Sequence, residues 1–545
     1  MFKCPNCGGH VVYEPTLRKM KCEFCDSLFN PEPGDVPADA DAQVASSEEV
    51  TVTQATDKYE ANVFTCPQCG GEIISDADTA VTFCSYCGSS TVLEGRLTKI
   101  QKPDYVIPFV KTKEEAEEAY KKAISRSLFA PASLKRDTVV ERFRGIYMPY
   151  WIYNFRIDGQ TTANGTKDYR RGNYIYHDHY QVTSDTHATY DGISFDASSS
   201  FADSLSGAIA PYEIKDKKKF SEDYLAGFYA DTSDISKTVY KKEARDMVKS
   251  DAANRMMHSD NYGQYGIHVG DALSAMAPDA EESNLGYFPV WFLSNRTGDR
   301  ISYAVVNGQT GRVAVDIPIS FAKYMIGALI IAVPLFFLMN LAFTITPLMA
   351  VVLTIFLGVI SVIVNASQQR KVYVREHYLD DAGMQELEKK REREAKAAAE
   401  EAFKEEDLTE IRDSNKTFGV VWGIIYVITF LLLMYFVGGF LAAIAVGGLI
   451  TLREKTGGTG STKVVKKKRE KAPFSVAFAA ALKPLIGIVI ALGVAIIQPV
   501  SDLYYYGAIL VSMALILWSF FDMVVSHNRL ATRPLPQFNK RGGDE

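Results

Sequence analysis

Hydrophobic and polar positions change their rhythm at about residue 321. Before it the chain is mixed. After it, long apolar runs alternate with charged blocks. Phe321 to Ala366 is apolar apart from Lys323 and a few neutral polar residues, and Phe418 to Leu452 and Phe474 to Val525 repeat the pattern. Each run exceeds the roughly 20 residues that cross a hydrocarbon layer. Each also breaks near its middle, at Thr344-Ile345-Thr346-Pro347, Val437-Gly438-Gly439 and Gln498-Pro499-Val500-Ser501-Asp502. The pattern predicts an all-α polytopic region of about six helices in three transmembrane hairpins, 321–366, 417–452 and 474–525. The middle run is short for two spans.

Charge then orients the hairpins. Arg370, Lys371 and Arg375 follow the first. Arg453, Lys455 and the stretch Lys463 to Lys471 follow the second, and Arg529, Arg533, Lys540 and Arg541 follow the third. The three opposite turns carry no Lys or Arg. Basic loops stay in the cytoplasm. This places both termini, the charged segment 367–416, the basic loop 453–473 and the tail 526–545 on the cytoplasmic side of a multi-pass cell-membrane protein. Lys483 and Asp522 read as lying near helix ends, with no ionisable group at the helix centres, which disfavours a transport path.

Residues 100–320 read as a cytoplasmic α+β domain. Lys113 to Leu128 predicts an amphipathic helix. Asp234 to Met257 predicts another, with Tyr240, Ala244, Met247, Val248 and Ala252 on one face. Tyr147 to Gly159 and Phe288 to Val315 read as strands, the latter including a hairpin with Asn307-Gly308 at its turn. Pro149-Tyr150-Trp151-Ile152 and Pro289-Val290-Trp291-Phe292 share a Pro-x-Trp-apolar pattern, which fits a duplication or chance. Tyr378 to Asn415 is strongly charged and helix-favouring, either a solvated helix or a docking surface.

The candidate chemistry lies in the cysteines. All eight form Cys-x-x-Cys pairs, Cys4/Cys7 with Cys22/Cys25 and Cys66/Cys69 with Cys84/Cys87. This spacing is that of two four-thiolate zinc sites, whose filled coordination fits structural Zn2+ and not a catalytic ion. Gly8, Gly70, Gly88 and Asp26 follow the second cysteine of each pair, where positive φ is expected. Disulfides are disfavoured because no secretory leader precedes the cysteines. The two ribbons, 1–30 and 63–97, are separated by an acidic linker, 31–62. It is too poor in large apolar residues to fold, so the ribbons are expected to be tethered and not rigidly joined. Phe24 and Tyr86, beside the ligands, read as interface anchors or as small-core residues. His177 and His179 fall on one strand face with His187 following, but no acidic or cysteine cluster completes a site. Gly457 to Lys463 lacks the spacing of a phosphate-binding loop. No nucleophile–base arrangement stands out, so the chain reads as non-enzymatic.

Net charge, −6 over 545 residues, says little about partners. Local charge says more. Ribbon 1 sets Lys3, Arg18, Lys19 and Lys21 against Glu14, Glu23 and Asp26. Ribbon 2 sets Arg96 against Glu72, Asp76, Asp78 and Glu94. Neither has the clustered positive face that phosphate binding needs, which makes nucleic acid an unlikely partner.

The segments CPNCGG…CEFCDS and CPQCGG…CSYCGSS resemble zinc ribbons of the transcription factor IIB type. Taken with YVIPF, GIYMPYWIYNF, YLAGFY, PVWFL, VNGQTGRV and the membrane tail, they make the chain similar to bacterial membrane proteins with N-terminal ribbons of this type, often mislabelled primosomal protein N′-like or helicase. No helicase motif is present. That group is associated with phage shock protein A, an ESCRT-III relative, and with SPFH-domain proteins. The resemblance implies an integral membrane scaffold that recruits such membrane-stress partners. Two alternatives stay open: a transporter or channel with regulatory ribbons, and a membrane-tethered nucleic-acid-binding regulator.

Overall fold

The computed structural model describes residues 3–31, 58–75, 83–90, 94–281, 283–342, 346–377, 379–402 and 473–536. The expected middle hairpin, 417–452, and nearly all of the acidic linker and the basic loop lie outside those residues. The described residues form an α/β soluble domain built on a large sheet, followed by apolar helices.

At the centre of the sheet, strands Arg144–Arg171 and Asn284–Thr297 pair antiparallel, with Arg144 opposite Phe292 and Ile152 opposite Asn284. Gly145 to Tyr153 and Leu285 to Ser294 are buried on both faces, which is why their sequence is a continuous apolar run without alternation. Tyr147 lies opposite Pro289, and Pro149 opposite Tyr287.

The surroundings of these two strands repeat across a local two-fold axis. The short strand Tyr229–Ala230 runs parallel to Ile146–Tyr147, and Tyr105–Val106 runs parallel to Gly286–Tyr287. Just beyond each, the neighbouring strand changes. Asp231 N donates to Tyr147 O (3.0 Å) and Ala197 N to Pro149 O (2.8 Å). On the other side, Ile107 N donates to Tyr287 O (2.9 Å) and Gly308 N to Pro289 O (2.8 Å). Each proline, which has no N–H, therefore sits where one neighbour ends and the next begins. Trp151 Nε1 donates to Ile235 O and Trp291 Nε1 to Lys111 O, both at 2.8 Å. A unit of short strand, helix, long strand and return strand thus occurs twice. The first is Tyr105–Val106, Lys113–Ser125, Arg144–Arg171 and Tyr174–Asp196. The second is Tyr229–Ala230, Lys241–His258, Asn284–Thr297 and Arg300–Asn307. Each short strand crosses to the other unit's long strand, so the Pro-x-Trp pair marks an internal structural repeat. The two hairpins point in opposite directions.

Some boundaries move. The second repeat's helix starts at Lys241, not at 234, and Met247 is exposed, not on the buried face. The Asn307 turn is longer than two residues: Gly308 N is engaged by Pro289 O, and the return strand is Val313–Val315.

Three helices, Pro347–Glu376, Phe474–Ile497 and Asp502–Leu530, are long and apolar enough to cross a membrane. A fourth apolar helix, Phe321–Ala342, precedes them. Two of the expected breaks are present. At one, the Thr346 hydroxyl caps Met349 N (3.3 Å) with Pro347 in the first turn. At the other, Gln498 turns left-handed (φ 48°) and Ser501 caps the next helix. Ile330, Ile331, Val489, Leu510 and Trp518 project outward uncovered, as a lipid-facing surface requires. The first of the three spans continues to Glu376, and the charged helix, Ala382–Ala402, follows it.

A polar seam joins these helices. Ser519 Oγ accepts from Ser361 Oγ (3.0 Å) and from Asn365 Nδ2 (3.1 Å). Gln369 Nε2 donates to Ser526 Oγ (2.6 Å), and Ser512 Oγ donates to Gly487 O (2.8 Å). Lys483 pairs with Asp522 (2.5 Å) and lies over the Trp518 ring. These two charges sit roughly two turns or more inside their helices, further in than the sequence suggested. Asn365 Nδ2 also donates to Ala480 O (2.9 Å). In a regular helix that carbonyl would accept from residue 484, but Pro484 has no N–H, so Asn365 supplies the missing donor.

The soluble domain grips the ends of these helices. The Arg300 guanidinium donates to Glu376 Oε1 (3.1 Å), Arg529 O (3.0 Å), Thr532 O (3.0 Å) and Thr532 Oγ1 (2.7 Å). Asp316 pairs with Arg375 (3.2 Å), and the Asn528 amide bonds both backbone groups of Ile319.

The Asn365–Ala480 bond yields a double-mutant test. Asn365→Ala should destabilise the helix bundle by about 1 kcal/mol, the scale of interhelical bonds in membranes. In a Pro484→Ala background, where residue 484 regains its N–H, the loss should shrink by half or more. Unfolding in detergent micelles measures both; additive effects would refute the assignment.

Candidate metal centres

Ribbon 1 consists of strands Val11–Glu14, Lys19–Cys22 and Leu28–Phe29. Its knuckles close through Gly8 N to Cys4 O (2.7 Å) and Asp26 N to Cys22 O (3.1 Å). Those of the second site close through Gly70 N to Cys66 O (2.7 Å) and Gly88 N to Cys84 O (3.0 Å). All four closing residues have positive φ: Gly8 72°, Asp26 55°, Gly70 74° and Gly88 69°. This turns the next amide toward the sulfurs and brings each pair together.

The sulfurs of each tetrad lie within 4.8 Å of one another. Cys4–Cys25 and Cys7–Cys22 are 3.5 Å apart, Cys66–Cys87 3.8 Å and Cys69–Cys84 3.7 Å. Tetrahedral ligands about 2.3 Å from an ion would stand roughly 3.8 Å apart, so both donor sets fit a tetrahedral metal. In the second site, hydrogen bonding from Cys69 drives the Cys66 thiol far below its ordinary range, while the bond to Cys66 drives Cys69 and Cys84 far above theirs. Four sulfurs this close cannot all be charged without a cation between them.

The two sites differ in setting. All four sulfur residues of the second are buried, and so is Tyr86. The Tyr86 carbonyl accepts from Tyr303 Oη (2.8 Å), and its ring meets Phe292 edge-on (6.1 Å). Its strands, Lys58–Thr65, Glu72–Ile74 and Glu94–Gln101, join the main sheet where Ile74 pairs with Ala230. Ribbon 2 therefore spans a wider segment than 63–97 and is part of the domain. In ribbon 1, Cys4 and Cys22 are buried, Cys7 and Cys25 are exposed, and Phe24 is 76% exposed. Ribbon 1 is docked as well. Tyr13 N donates to Ala226 O (3.1 Å), and the Tyr13 ring packs on Tyr224 and Phe228. The expected tethering does not hold, because apolar residues of both ribbons are buried in the same clusters as residues of the domain. Tyr86 is likewise a core residue and not an interface anchor.

The histidines do not converge. His177 pairs with Asp168 (2.6 Å) and His187 with Asp158 (2.5 Å) across the long hairpin, both exposed, while His179 lies opposite Thr166. Among the described residues, the two cysteine tetrads are the clusters that could hold a metal.

A second buried polar site anchors the charged helix. Asp381 Oδ1 accepts from Met384 N (2.8 Å), Asp203 Oδ2 accepts from Ala382 N (2.9 Å), and Tyr240 Oη donates to Asp203 Oδ1 (2.6 Å). Burial, and then the charge of Asp203, pushes the Asp381 carboxyl up to about 7.

In the comparisons, no family model matches the chain and no solved structure matches it. It is similar to "Uncharacterized protein YdjG" of Bacillus subtilis (strain 168), 28% identical over 330 residues that cover 59% of this chain and 91% of the relative.

Purified protein should hold two metal ions per chain by elemental analysis. Tyr86→Ala should destabilise the domain by about 3–5 kcal/mol, the scale for a buried aromatic, and Phe24→Ala by under about 0.5 kcal/mol, read by thermal unfolding. The Asp381 carboxyl, raised in the folded state, favours the anchored helix below its unfolded value near 3.8, and that contribution is lost as pH rises through about 7. Protease cleavage within Ala382–Ala402 should therefore increase between pH 5 and 8. Asp381→Asn should flatten the response while keeping the cap.

Proposed function

We propose that the chain is a non-enzymatic integral membrane scaffold with two structural zinc ions, six membrane helices and cytoplasmic termini, which recruits cytosolic proteins to the bilayer. The carrying observation is the tip of the long hairpin. Tyr174 and Ile175 are 73% and 65% exposed there, and Tyr169 and Tyr176 stack at 5.3 Å. The exposed Lys167, Arg170 and Arg171 lie on the same end of the hairpin. Aromatic and arginine side chains are favoured interface anchors. The tip points opposite to the Thr297–Arg300 turn that holds the apolar helices, and so away from the bilayer. The exposed Phe24 of ribbon 1 and the charged helix offer two further contacts. Phage shock protein A-like and SPFH-domain proteins are the partner classes that the sequence resemblance suggests.

A transporter is the second reading, favoured by the Lys483–Asp522 pair inside the bundle. Ion flux in proteoliposomes that disappears in Asp522→Asn would support it.

The recruitment reading predicts that the double variant Tyr174→Ala/Ile175→Ala, at exposed positions, releases a labelled phage shock protein A-like partner from the membrane, with Phe24→Ala weakening recruitment further. Reporters at Ala399 and Gly460 should be cytoplasmic, and one near Gly438 external. Unchanged membrane foci in both variants would reject the reading.

A further inference from the structure

We infer that ribbon 1 is a peroxide-sensitive release site: oxidation at its solvent-facing thiolates, Cys7 and Cys25, frees its metal and undocks the ribbon, while the second site stays closed. The inference rests on the metal reading of the tetrads and is independent of recruitment.

The contrast between the sites carries it. Cys7 and Cys25 are exposed, whereas Cys66, Cys69, Cys84 and Cys87 are all buried. Each exposed sulfur has a buried partner at 3.5 Å, Cys4 for Cys25 and Cys22 for Cys7. This is the arrangement of an accessible thiolate beside a resolving one. Hydrogen peroxide would supply the oxidising equivalents. The Cys25 thiolate attacks one peroxide oxygen, giving a sulfenic acid and hydroxide. The Cys4 thiolate then displaces a second hydroxide from that sulfur. Two thiolates and one peroxide thus become one disulfide and two hydroxides, and the metal loses two of its four ligands.

The structural consequence follows from size. About thirty residues cannot hold a core without metal, and ribbon 1 keeps Val11, Tyr13 and Met20 buried. Loss of the ion would lift Tyr13 from Tyr224 and Phe228 and uncover that aromatic face of the domain. Tyr86 and Tyr303 cover the second site, so peroxide reaches it only after the domain opens.

The test uses full-length protein in detergent. Elemental analysis first establishes two metal ions per chain; a lower count would reject the metal reading itself. Peroxide is then added with a chromogenic zinc chelator. One equivalent should be released at least tenfold faster than the other. Differential alkylation should find a disulfide confined to Cys4, Cys7, Cys22 and Cys25, and trypsin should gain access to Arg18, Lys19 and Lys21. Dithiothreitol with added zinc should reverse all three. Release of both ions at one rate, release from the second site first, or oxidation without new tryptic cleavage would overturn the inference.

Discussion

The rest of the molecule depends on the antiparallel pairing of Arg144–Ile152 with Asn284–Phe292. Buried on both faces, this pair cannot exist without a layer on each side. One face, with Tyr147, Tyr287 and Trp291, packs with Phe109, Phe228 and the Val11, Tyr13 and Met20 side chains of ribbon 1. The other, with Ile146, Met148, Phe288 and Phe292, packs with Tyr86 and the cysteines of the second site. The two cysteine tetrads therefore close opposite sides of one sheet. This accounts for their unequal exposure. The second is enclosed beneath Tyr303 and Phe292, whereas the first lies on the outer edge with half of its sulfurs facing water.

Sequence carried the local features well and the long-range ones poorly. Cysteine spacing and the residues after each pair located both tetrads and their positive-φ turns, because a knuckle is specified by adjacent residues. The breaks at Thr346-Pro347 and Gln498 were legible for the same reason. Ribbon docking was not. Val11, Tyr13 and Met20 would serve a self-contained ribbon equally well, and only the position of Phe228, more than two hundred residues away, decides otherwise. Tyr86 was ambiguous on the same ground. The repeat showed in sequence only as Pro-x-Trp, since its equivalence resides in what each strand pairs with. One missed signal was available. Thr354, Ser361 and Gln368, and Ser512, Ser519 and Ser526, recur every seven residues within apolar runs, the period of a helix-packing seam.

That seam also bears on the charges within the bundle. Without water, a proline-freed carbonyl needs a donor from another helix. Asn365 meets this need by tying two helices to its own at one level. Lys483 and Asp522 neutralise each other beside it, so part of the polar content is explained by packing alone.

The two hairpins of the structural repeat differ in length and in what they contact. The second is short, and its turn residue Arg300 is fully engaged by helix-end carbonyls and Glu376. The first, its counterpart across the local two-fold axis, extends far past the sheet and ends in uncovered aromatic and basic side chains. Both hairpins grow from the same buried strand pair, so they are opposite ends of one continuous sheet. The turn that Arg300 fixes to the apolar helices thereby sets the orientation of the tip, and strand pairing through the sheet holds the tip at a defined distance from those helices.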